Sequence, residues 1–157
     1  MSNEKSKKNL FTHESFEEKI DFIKRKFQQL PSPTEKYNLL MDLGKNIIPI
    51  DPKYKTEEFL VRGCQSQIFL HAERKAGRLF FSASSDALIS SGLASLLINV
   101  YSGENTETIL NHPPLFLQEL GIYASLSPNR SQGLAHIYLK MKFFAILFAH
   151  ELENLRS

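Results

Sequence analysis

The chain has a single cysteine in 157 residues and no tryptophan. One thiol cannot close an internal disulfide. Nothing therefore points to an oxidising compartment, and the cytoplasm is the default expectation. No apolar run reaches the ~18 residues that a membrane helix requires. After Met1, residues 2–9 are polar, and the stretch lacks the apolar centre of a signal peptide. Charge of one sign is also missing: 19 basic against 17 acidic residues leave a net charge of +2. That balance gives no reason to expect a nucleic acid or an anionic membrane as partner. There is no phosphate-binding glycine loop and no Gly-x-Ser-x-Gly nucleophile turn. The histidines at 13, 71, 112, 136 and 150 show no metal-ligand spacing with one another, with the cysteine or with a carboxylate. All five read as structural or surface residues, and no metal is expected.

What remains is an ordinary globular composition, 42% hydrophobic and 23% charged. The length suits one domain with a sizeable core. Residues 1–11 read as a mobile tail and 12–157 as a single domain. Ser15 with Glu18 forms a capping box at the start of a helix. Phe16, Ile20, Ile23, Phe27 and Leu30 give that helix one apolar face, to about Gln29, before Pro31 breaks it. Ser32, Pro33 and Glu35 start a second helix, on which Tyr37, Leu40, Met41 and Gly44 share a face. Pro49 and Pro52 close it, and 49–57 is loop.

Residues 59–62 suggest a short strand. Residues 66–74 and 78–84 read as an antiparallel hairpin turning at Ala76-Gly77. Ser84-Ser85-Asp86 resembles a helix N-cap cluster, followed by Leu88, Ile89, Leu93, Leu96, Leu97 and Val100 at helical spacing. A short helix over 104–111 and another after His112-Pro113-Pro114 lead to Gly121. A long helix then runs from about Pro128 to Leu155. Its core stripe is Leu134, Ile137, Tyr138, Met141, Ala145, Phe148 and Leu152. Leu139, Phe143, Ile146 and Leu147 fall outside that stripe. Residues 139–148 are therefore a candidate self-association surface, and a monomer or weak homodimer is expected. Strands in the middle with helices before and after define an α+β fold: a small antiparallel or mixed sheet, with its hairpin at about 66–84, flanked by helices.

The chemistry concentrates at Leu60-Val61-Arg62-Gly63-Cys64-Gln65-Ser66-Gln67. A lone cysteine is usually a small buried hydrophobe. Here Gly63 permits close backbone approach, and Gln65, Ser66 and Gln67 are poor core residues. If the segment is extended, Arg62 and Cys64 share a side, and the guanidinium favours the nucleophilic thiolate. Asp86 fits a helix cap. Arg130 stands in a first helical turn, where the dipole opposes a cation. An anion or a carboxylate partner is one reason for it to be there, and plain solvent exposure is the other.

Gly63-Cys64-Gln65-Ser66-Gln67 resembles the cysteine motif of the SufE/CsdE family, the sulfur acceptors of cysteine desulfurases in iron–sulfur cluster assembly. The resemblance extends to Glu35-Lys36-Tyr37 with Leu43-Gly44, to Ser85-Asp86-Ala87-Leu88-Ile89 with Gly92-Leu93, and to Leu126-Ser127-Pro128-Asn129-Arg130-Ser131-Gln132-Gly133-Leu134. These pieces fall in family order from about Thr34 to Ile137. The resemblance implies a SufE/IscU-like fold and a persulfide carried on Cys64. Arg62, Gly63, Gln65, Asp86 and Arg130 would be the supporting residues. It implies a SufS- or CsdA-like cysteine desulfurase and a SufB-like scaffold as partners. Pyridoxal phosphate would belong to the desulfurase and no cofactor to this chain, which would activate that enzyme without being one itself. His112-Pro113-Pro114 departs from the family, which often has an arginine and then an aromatic residue there. Two other readings stay open: a hydrolase with a cysteine nucleophile and a histidine base, and a non-catalytic binding module.

Overall fold

The structure, a computed structural model, describes residues 15–156. The tail assigned to 1–11 and His13 lie outside the described residues. Helix α1 spans Phe16–Gln28 and is capped by Ser15, whose hydroxyl accepts the Glu18 N–H. Helix α2 spans Pro33–Lys45, with the Ser32 hydroxyl accepting from the Glu35 N–H. Both starts follow the Ser-x-x-Glu signal, which satisfies N–H groups that have no partner inside the helix. In α1 Phe16, Ile23 and Phe27 are buried, and so is Lys19.

Strands β1 (Ile68–Lys75) and β2 (Arg78–Ser85) form the hairpin, with Lys75 opposite Arg78. Ala76 and Gly77 both have positive φ, 53° and 75°. This is the turn whose twist matches a two-residue hairpin. Ile68, Leu70 and Ala72 alternate inward with Leu79, Phe81 and Ala83. Helix α3 (Leu88–Tyr101) packs on that face and is buried almost all round. It also crosses α2 closely. A Cβ on Gly92 would run into the Leu40 carbonyl, and one on Gly44 would meet the Gly92 nitrogen at 2.8 Å.

Strand β3, Glu104–Asn105, adds to β2 and completes a sheet of order β1-β2-β3. Helix α4, Thr106–Asn111, follows it. The short helix expected over 104–111 thus begins two residues late. Its first residues pair with Arg78 and Leu79, and Asn105 becomes the cap, accepting the Thr108 N–H. Glu104 is drawn in by Lys19, whose Nζ lies 2.8 Å from its Oε1 and donates to the Ser102 carbonyl. After a 3-10 turn at Leu115–Leu120, Gly121 reverses the chain in the left-handed region. A second 3-10 turn at Tyr123–Ser125 leads to helix α5, Pro128–Arg156.

The strand expected at 59–62 does not form. Glu57–Phe59 is a 3-10 turn, and Leu60 makes one isolated bridge to Phe69. The ladder stops there because Gly63 turns the chain away, at φ 83°. The 49–57 stretch is not all loop, since Pro52–Tyr54 is a 3-10 turn capped by Asp51. The core stripe of α5 is as the spacing implies for Leu134, Ile137, Tyr138, Met141 and Ala145, with Phe144 buried as well. Leu139, Phe143, Ile146 and Leu147 are exposed. Among the described residues, no helix is long and apolar enough to cross a membrane.

Candidate functional site

The loop between Leu60 and Ile68 lies along the N-terminal half of α5 and runs antiparallel to it. Asn129, Gly133 and His136 of α5 touch it in succession, and Lys140, a turn further on, reaches the chain just ahead of it. Asn129 Nδ2 donates to Gln65 Oε1 at 3.4 Å. The Cys64 thiol points at the Gly133 carbonyl, with 3.9 Å between Sγ and oxygen. The His136 ring lies against Gly63: a Cβ on Gly63 would stand 2.7 Å from Cε1 and from Nε2. Lys140 Nζ donates to the Glu58 carbonyl at 2.7 Å. Gly63 is therefore fixed twice, by its positive φ and by the imidazole beside it.

The far end of the loop is held by Asp86. Its Oδ1 accepts the Gln67 N–H at 3.0 Å, and its own N–H donates to the Gln67 carbonyl at 3.2 Å. This corrects the capping expectation. Residue 87 is the N-cap of α3 and provides no side-chain cap, while Asp86 faces backward to the cysteine loop. The Ser90 hydroxyl donates to Ser66 Oγ at 3.0 Å, a second tie from α3.

Cys64 is half-buried. Cys64, Ser66, Ser90, Arg130, Gly133 and Ile137 line a cavity of about 10 Å³, room for roughly one water. Arg130 Nη1 is buried without a hydrogen-bond partner. An unpartnered buried guanidinium N–H is costly, and Arg130 lines the same cavity as the thiol.

The condition under which Arg62 and Cys64 share a side, an extended segment, is not met, because Gly63 has a φ of 83°. The Arg62 charge bears instead on Lys140, whose ammonium is pushed below its ordinary pKa by burial first and by Arg62 second. The Cys64 thiol is pushed up by burial, and no cation offsets that. In the resting loop the thiol form is favoured.

The histidines divide. His71 stacks on Tyr54 at 3.6 Å, with burial lowering its pKa. His112 packs edge-on to Phe16, and its carbonyl accepts from the Tyr101 hydroxyl at 2.6 Å. His150 is exposed. Among the described residues, His136 is the histidine that touches the cysteine loop, and no histidine nitrogen is hydrogen-bonded to the sulfur. Among the described residues, no group of three His, Cys, Asp or Glu side chains is placed to hold a metal.

Asn129, His136 and Lys140 were not singled out by sequence reasoning. The signal was present in the α5 spacing 129, 133, 136, 140, a helical stripe beside the apolar one, but only the fold says that the loop lies on it.

The site is thus one thiol on a tethered loop of a small α+β domain. A family model described as "Fe-S metabolism associated domain", SufE, matches residues 21–145. The chain is 38% identical over 125 residues to SufE-like protein 1, chloroplastic/mitochondrial, of Arabidopsis thaliana, a match covering 79% of this chain but only 34% of that protein. It is 32% identical over 126 residues to an uncharacterized SufE-like protein of Synechocystis, covering 80% of this chain and 79% of that one. In structure it is similar to a hypothetical protein from Thermus thermophilus, with TM-score 0.69 and 25% identity, over 81% of this chain and 93% of that one. The chain belongs to the SufE family.

Proposed function

We propose that Cys64 accepts sulfur as a persulfide from a cysteine desulfurase, stimulates that enzyme, and relays the sulfur to an iron–sulfur cluster scaffold. The observation that carries the reading is one small cavity lined by both the lone thiol and Arg130, whose Nη1 is buried without a hydrogen-bond partner. Membership of a family tied to Fe-S metabolism supports it.

The transfer is thiol–disulfide exchange without net redox. Cys64 loses its proton, and the thiolate attacks the terminal sulfur of the desulfurase persulfide. A new S–S bond forms on Cys64, the old one breaks, and the desulfurase cysteine leaves as thiolate. Arg130 Nη1 is the donor available to the persulfide anion. Burial keeps the idle thiol protonated and slow to oxidise, so docking must open the loop before attack. Pyridoxal phosphate belongs to the desulfurase in this scheme, and this chain is a cytoplasmic accessory protein with no resident cofactor. The hydrolase alternative would require a base on the sulfur, and the Gly133 carbonyl is the group the thiol points at.

The test is intact-protein mass spectrometry after incubation with a cysteine desulfurase and free cysteine. The expected result is a reductant-labile gain of one sulfur atom that is absent in Cys64→Ser. Undiminished desulfurase stimulation by folded Cys64→Ser would sink the relay.

A further inference from the structure

We infer that His136 is a positioning residue that sets the resting state of the Cys64 loop, with its imidazole acting as the stop against which Gly63 turns. The inference rests on the reading of Cys64 as the sulfur-accepting thiol. It adds a residue which that reading does not need.

The His136 ring occupies the space where a side chain at 63 would lie, with Cε1 and Nε2 both 2.7 Å from a Cβ built there. Its neighbours on the α5 stripe hold the loop weakly. The Asn129–Gln65 bond is long at 3.4 Å, and the thiol contact at 3.9 Å involves a poor donor. Lys140 binds backbone at Glu58, ahead of the turn rather than in it. The imidazole is thus the group nearest to the residue that precedes the thiol. While it stays, Gly63 keeps φ 83° and Cys64 faces Gly133. When it is removed, the turn loses its floor and the thiol is free to swing outward.

The experiment uses the full chain and no desulfurase for its first reading. Cys64 alkylation by iodoacetamide is timed in wild type, His136→Ala and His136→Gln. His136→Ala is expected to react about five- to tenfold faster, the change that follows from losing one modest packing contact. His136→Gln keeps a planar group of similar reach and is expected to stay near wild type. A double-mutant cycle gives the second reading. Gly63→Ala clashes with the ring and strains φ in wild type, but only strains φ beside His136→Ala. Its Tm loss should therefore shrink by at least about 3 °C in the His136→Ala background. Equal alkylation rates in wild type and His136→Ala, or an unchanged Gly63→Ala loss in both backgrounds, would overturn the inference. Sulfur loading by a desulfurase is measured separately. Loading of Cys64 with no effect of His136 refutes the positioning role alone. Faster alkylation in His136→Ala without any loading refutes the relay alone.

Discussion

Asp86 provides the sharpest single test of how the cysteine loop is held. Its carboxylate accepts the Gln67 N–H at 3.0 Å from an exposed position. Hydrogen bonds to charged groups contribute roughly 1.5–3 kcal/mol net, and exposure places this one near about 1.5 kcal/mol. If the bond holds only the loop, Asp86→Ala raises the open population about tenfold. If it holds the whole domain, Tm falls by about 3–6 °C. A charge effect on α3 must be separated from the clamp, since Asp86 stands two residues before Leu88, the first residue of that helix. Asp86→Asn does this, because it removes the charge and keeps an acceptor oxygen. The assay is Cys64 alkylation rate together with thermal denaturation of wild type, Asp86→Ala and Asp86→Asn. The clamp predicts faster alkylation or lower Tm in the alanine variant and a clearly smaller change in the asparagine one, which keeps a weaker, neutral bond. Equal effects in both variants would assign Asp86 to the helix dipole. No effect in either would refute the clamp.

Burial raises the Cys64 pKa, so its alkylation rate should turn over above the ordinary thiol value of 9.0. A turnover below that value would contradict the buried loop. The same shift has a sign for stability: the folded state holds the proton longer than the unfolded one, so the contribution is complete below 9.0 and is lost as pH rises through the folded value. Wild type should therefore lose its advantage over Cys64→Ser in alkaline denaturation, and a constant difference would refute the shift. Glu104→Gln should cost about 3–5 kcal/mol, because it leaves the Lys19 ammonium buried at 2% exposure without its carboxylate. Lys19→Met should cost less, and thermal denaturation of both checks the order. If the exposed face of Leu139, Phe143 and Ile146 mediates self-association, sedimentation should show dimer at high concentration that Phe143→Glu abolishes. A monomer throughout would leave that face without a self-partner.

Periodicity was a sound guide where local chemistry decides structure. The capping boxes at Ser15 and Ser32 and the Ala76-Gly77 hairpin are local events, and each occurs as its residues imply. The errors arise where a distant residue intervenes. Glu104 carries no strand signal of its own, and β2 together with the buried Lys19 draws it into the sheet. Asp86 has the sequence of a cap, yet a loop nineteen residues earlier in the chain supplies a better donor. Cys64, Asp86 and Arg130 could be picked out from the chain and do meet at one loop. The extended geometry assumed for Arg62 and Cys64 was also a local inference, and Gly63 turns instead, with the ring of His136 beside it. That ring lies 73 residues further along, beyond the reach of any spacing rule.

The contact between the thiol and the Gly133 carbonyl has a thermodynamic consequence for a carrier. The interaction is long, the donor is weak, and the acceptor already serves its own helix. Breaking this one contact costs the sulfur little, and remaking it gains little. A group that must be loaded by one protein and unloaded to another works best when neither step is uphill. In the carrier role proposed above, a strong resting bond on Cys64 would have to be broken at every loading, and this one adds little to that cost.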